Sequence, residues 1–324
     1  MMKGMKLIRV ALLGIFCFGS IQMMQAQDVN EAKTAYNAAL QTMTADPATA
    51  IKSLESCIDL CTKIGVPADS VKNAARAKFA ETYYNLAINQ AKDKNLDGAI
   101  VNFKEALKYG QETNNSEVIK RTTPGLVRIY AMQSNSFLIQ KDPVKAQETL
   151  TLALQMDTLN ATVWLVQMKI FQDADSAAGV ASAIQKCMTI SKNPNETRQA
   201  QQSGLKYFLS KGSKAVNTSK FDEGVINLEK ALAYDETNKD VIAYLAKAYN
   251  GVSQWDKAIE TATKGIAIEE DVPEKEAKFW FEIGLAYKGK GDKTNACESF
   301  KKAMAGQYVE NAKYEIEVDL KCSK

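Results

Sequence analysis

Trp280-x-x-Ile283-Gly284-x-x-Tyr287, followed by Ala296-x-x-x-Phe300 and Ala303, is the most informative stretch of this 324-residue chain. Trp280, Ile283 and Tyr287 recur every three or four residues, so they share one face of a first helix. Phe300 and Ala303 form the matching face of a second. Gly284 and Ala296 are small where two helix backbones must come close. A helical hairpin of this kind cannot bury both apolar faces alone, so the pattern predicts neighbours.

Those neighbours are present. The small residue of each second helix recurs upstream of Ala296 at Ala258 and Gly224, 38 and 34 residues apart. Ile242, Leu245, Ala246 and Tyr249 supply a first helix before Ala258, and Leu228 and Ala231 continue the helix of Gly224. Ala146, Leu150 and Ala153, then Val180, Ile184 and Cys187, repeat the second-helix face. Tyr83, Leu86 and Ala87 pair with Ala99, Phe103 and Ala106, and the first unit, around Ala50, Leu54 and Cys57, is the most degenerate. About seven hairpins follow, with a period near 34 residues. The chain resembles the tetratricopeptide repeat family over nearly all of 28–321. The resemblance implies an all-α, right-handed superhelical solenoid, closed by a C-terminal capping helix at Tyr308–Leu320. Degenerate repeats with long helices are expected over 28–192 and regular ones over 193–321. Wider spacings between some units imply long helices over Val71–Ala91 and Thr197–Ala215.

Proline placement agrees with helices. Pro47 and Pro143 each follow an aspartate, Asp46 and Asp142, as an N-cap followed by a first-turn proline. Pro67, Pro124, Pro194 and Pro273 fall between periodic segments, so no proline is expected inside a helix.

The N-terminus reads differently. Lys3, Lys6 and Arg9 precede an apolar run from Val10 to Ile21, then Gln22 to Gln27, which is the order of a secretory signal peptide over 1–26. Twelve apolar residues fall well short of the roughly 20 that span a bilayer, so no integral membrane segment is expected after cleavage at Ala26. Without this segment's three basic residues, 38 basic side chains balance 38 acidic ones. Electrostatic attraction to nucleic acid then has no support. Export to a bacterial periplasm, or beyond the cell, is the expected location.

Export permits disulfides. Cys297, on the last second helix, and Cys322, ending the capping segment, are candidates for one, with two buried thiols as the alternative. Cys57 and Cys61 are four apart on one helix, about 5–6 Å between Cβ atoms, too wide for an easy bond. Packing is the simpler account of them, with thiol-redox chemistry as the rival.

There is no histidine, which removes the commonest general base and imidazole metal ligand together. Gly284 to Lys290 imitates a phosphate loop, but Gly291 stands where Ser or Thr belongs and no strand precedes it. Glu269, Glu270 and Asp271 form an acidic cluster at a helix end, where a loop is a simpler reading than a calcium site. No catalytic residue, metal or cofactor is called for.

In the family, first helices line a groove that holds a peptide or partner helix. Carried onto this register, the groove positions are Glu81, Tyr84 and Ile88; Ala243, Lys247 and Asn250; and Lys278, Phe281, Leu285 and Lys288. The family's lysine and asparagine clamp for a chaperone's terminal carboxylate is not matched. Tyr84, Tyr244 and Phe281 offer aromatic surface, but no carboxylate or amide cluster is evident that would select a sugar. The expected function is a non-catalytic scaffold of the bacterial cell envelope that presents its groove to another protein or peptide, with an envelope assembly or secretion factor as the alternative.

Overall fold

The computed structural model describes residues 28–269 and 272–322; the export segment read at 1–26, and Glu270 and Asp271, lie outside them. Every regular element among these residues is helical. The helices are α1 (28–42), α2 (Pro47–Ile64), α3 (Asp69–Lys92), α4 (Leu96–Glu112), α5 (Ser116–Ile139), α6 (Pro143–Met156) and α7 (Ala161–Asp173). Then come α8 (Ala177–Ile190), α9 (Pro194–Asn217), α10 (Phe221–Leu232), α11 (Lys239–Gly251), α12 (Trp255–Ile268), α13 (Pro273–Gly289), α14 (Lys293–Lys302) and the short α15 (Val309–Tyr314). They pair in order into seven hairpins, with α15 left as a cap. This is the all-α solenoid architecture. The chain divides within α7 into two compact units, one ending at Val166 and one beginning at Gln167.

One turn recurs inside the hairpins. Lys94, Lys141, Asp175, Ser219, Ser253 and Gly291 all take positive φ, between 52° and 78°. The residue after each donates its N–H back across the turn, for example Asp142 to the Phe137 carbonyl and Asp292 to the Tyr287 carbonyl, both at 2.9 Å. These are the closing bonds of helices ended by a left-handed residue. The residue after the turn then often caps the next helix: Asn95, Asp142, Ser176 and Asp292 accept from the backbone N–H three residues on. Asp46, before Pro47, does the same for Thr49 at 3.1 Å.

Helices α3, α5 and α9 each run 24 residues, which accounts for the wide unit spacings. Pro124 corrects one expectation, for it lies inside α5. It is exposed, on the solvent side of the helix, and it supplies no N–H to the Lys120 carbonyl four residues back. Beside it, Thr122 and Thr123 hydroxyls donate to the Val118 and Ile119 carbonyls at 2.6 and 3.1 Å. A solvent-side proline is thus accommodated where a buried one would break the helix.

In the first unit, Ala32 and Ala39 of α1 meet Leu54, Cys57 and Cys61 of α2 and Phe79 of α3 in one core. In the second, Ile242, Ala246, Ala262, Phe279 and Ile283 form the core of α11–α13, and Ala296, Phe300, Ala303 and Ala312 that of the last hairpin and cap. Gly284 makes room for a ring rather than for a backbone. A Cβ there would stand 2.7 Å from Phe300, which is fully buried.

Candidate functional site: a cleft on α11, α13 and the C-terminal cap

The second unit holds a cleft of about 690 Å³ whose floor is α11 and α13. Asn250 and Lys247 point in from α11, one turn apart; Phe281, Leu285 and Lys288 do so from α13 at spacings of four and three. Trp255, at the start of α12, closes one side. The cap closes another with Gln307, Tyr308 and Asn311. Phe281 packs edge-on against Phe300 and at a tilt against Tyr308, both at 5.4 Å between ring centres.

The cap is fixed at two points. A disulfide joins Cys297 to Cys322, with 5.9 Å between Cα atoms. Lys288 binds Glu315 at 2.6 Å and also pairs with Asp319. Burial pushes the Lys288 ammonium down, but those two carboxylates outweigh it and hold the group above its ordinary value.

Glu282, between Phe281 and Ile283, is the residue that the sequence reading passed over. Its side chain lines the cleft, yet the residue is only 8% exposed. Asn250 Nδ2 donates to its carboxylate at 2.7 Å and to its backbone carbonyl at 2.9 Å. Burial pushes the Glu282 carboxyl up to about 7, and the Asn250 bond and the Lys247 charge offset only part of that. Asn250 Oδ1 is itself buried and accepts no hydrogen bond. A carboxylate and amide pair therefore does occupy the cleft, contrary to expectation. Its trace in sequence is slight: Glu282 is the sole charged residue between Lys278 and Lys288.

The remaining groove positions lie elsewhere. Glu81, Tyr84 and Ile88 are half-buried on α3 of the first unit. Tyr84 stands edge-on to Phe103 at 5.8 Å with the Arg121 guanidinium 5.0 Å above its ring, and Glu81 pairs with Lys78. Ala243 packs against the core of α11–α13. Lys278 turns to Glu269, which is 3% exposed and also receives Lys239; the two contacts are 3.2 and 2.9 Å. Burial pushes Glu269 up, but hydrogen bonds from both lysines prevail and hold it low. Its carboxylate is committed to two lysines.

Cys57 and Cys61 are wholly buried free thiols, and burial, with Cys61 alongside, pushes Cys57 up to about 12. A thiol so shielded has no thiolate to offer near neutral pH. The burial of both thiols weighs against the redox reading.

A family model described as tetratricopeptide repeat matches residues 277–305, which span α13 from its second turn and all of α14. The segment 277–305 is thus a tetratricopeptide repeat hairpin. No curated protein matches its sequence. Among solved structures it is similar to YrrB, described as a TPR protein with an unusual peptide-binding site, at 14% identity over 65% of this chain and 97% of that one, with a TM-score of 0.35. It is also similar to MamA, at 23% identity over 56% and 97% and a TM-score of 0.33. The P58(IPK) TPR domain aligns at 11% identity over 87% and 96%, with a TM-score of 0.31.

Proposed function

We propose that the chain is a non-catalytic scaffold, exported to the bacterial envelope, that binds a segment of another polypeptide in the cleft on α11 and α13. The observation that supports this reading is the cleft's composition. Phe281, Leu285, Trp255 and Tyr308 give it apolar and aromatic walls, while Lys247 and the Asn250–Glu282 pair supply a few placed polar groups. Ligand-binding clefts in general have this build, mainly apolar with a few placed polar groups. The signal-peptide pattern supports export, and the first-helix register supports the choice of face.

A photo-crosslinking residue at Lys247, exposed at the rim, tests the reading in intact cells, with Lys264 on the exposed side of α12 as control. A polypeptide captured from position 247 and not from 264 supports the groove. Equal capture moves the site elsewhere. Sequencing of the chain recovered from the envelope should begin at Gln27; a chain recovered with Met1 intact in the cytoplasm overturns export.

A further inference from the structure

Two buried carboxylates in the second unit are treated differently. Glu269 sits between Lys239 and Lys278, so its charge is neutralised in place. Glu282, nearly as buried, has no ion pair among the described residues and one amide for a partner. A buried charge left without an opposite charge is strongly unfavourable. Asn250 spends its bonds on donating to Glu282, and its own oxygen, buried, accepts none.

The surrounding charges do not make good the deficit. Lys288 is bound to Glu315 and Asp319. Lys247 is exposed at the rim, and its attraction offsets the burial of Glu282 only in part. Tyr308, half-buried, is pushed up by burial first and then by the Glu282 charge. With Glu282 ionised, these groups together hold one more negative charge than positive. An incoming carboxylate would add negative charge where it is already in excess. An apolar side chain would seal Glu282 away unpaired. A cation with several N–H donors meets both needs, and aromatic faces attract it as well.

We propose that the cleft takes a basic side chain, arginine or lysine, of the partner polypeptide, lodged among Phe281, Tyr308 and Trp255 with its charge directed at Glu282. This rests on the groove reading above and names the chemistry of its ligand. Bound cation favours the ionised carboxyl, so affinity rises with pH through the range in which Glu282 titrates, near 7. The test uses end-blocked heptapeptides of alanine and leucine whose central residue is arginine, its neutral isostere citrulline, or glutamate. Binding is followed through the Trp255 indole N–H by NMR on the mature full chain. Near pH 8 the arginine peptide should bind about tenfold or more tighter than the citrulline peptide, and near pH 5.5 this margin should largely close. Glu282→Gln should abolish the margin while unfolding stays cooperative. Equal binding of arginine and citrulline peptides, or preference for glutamate, overturns the cation and leaves the groove standing. No displacement of Trp255 by any peptide at millimolar concentration overturns both. Butylguanidinium alone binding as tightly as the arginine peptide overturns the polypeptide as its source.

Discussion

Asn250 Nδ2 reaches the Glu282 carboxylate at 2.7 Å and the Glu282 carbonyl at 2.9 Å, tying α11 to α13 at the floor of the cleft. The tie holds a carboxyl that burial pushes up to about 7 from an ordinary 4.5. The folded chain thus keeps this proton to higher pH than the unfolded chain does. Its contribution to stability is greatest below 4.5 and falls as pH rises to 7, then stays level. The span is at most about 3 kcal/mol. Urea unfolding at several pH values should show Glu282→Gln gaining on the natural chain as pH rises through that window. A constant difference between the two would mean that Glu282 titrates normally.

Gly265 of α12 lies against the fully buried Phe279 of α13, where an added Cβ would come within 2.3 Å of the ring. Alanine normally improves a helix by about 1 kcal/mol over glycine. Here the ring cannot retreat into a filled core, and overpacking typically costs about 1–3 kcal/mol. Gly265→Ala should therefore lower the denaturation midpoint despite its better propensity. A raised midpoint would show that Phe279 has room to move.

The hairpins were legible because their signals are local. Apolar spacing marks α13 and α14, and Asp46-Pro47 and Asp142-Pro143 mark two helix starts by their caps. Pro124 misled, since a solvent-facing proline next to threonines that bond backward leaves no mark distinguishing it from a breaker. The cleft was half legible. The register placed Lys247, Asn250, Phe281, Leu285 and Lys288 together, because α11 and α13 are adjacent first helices. It did not give Tyr308 or Asn311, which arrive only when the cap folds back. Nor did it give Glu282, whose burial depends on the helices packed around it. Lys278 was drawn away by Glu269 across a segment whose pairing no periodicity encodes.

Cys57 and Cys61 make a cleaner case for inertness than their spacing alone. Both are wholly buried beside α1 and α3, and Cys57 is pushed up to about 12. In the folded chain, iodoacetamide at neutral pH should leave both unmodified over a time in which they react fully in urea. Modification at the native rate of an exposed thiol would restore the redox reading.

The Cys297–Cys322 bond closes a loop of 25 residues that contains the whole cap. A crosslink of that span stabilises by about 2–4 kcal/mol. In a repeat architecture each unit contacts only its neighbours, so the loss should stay local. Besides the bond, the cap is held by the Phe281–Tyr308 ring contact, by Ala312, Ile316 and Leu320 packed on the last hairpin, and by Lys288 through Glu315 and Asp319. In Cys297→Ser/Cys322→Ser, hydrogen exchange should quicken markedly over 306–320 while α9 and α10 keep their protection. Tyr308 and Asn311 would leave the cleft wall with the cap, so the same variant should bind peptide more weakly without unfolding. Uniform loss of protection across the second unit would instead show that the bond supports the hairpins themselves, and unchanged exchange over 306–320 would show that the Lys288 pairs suffice.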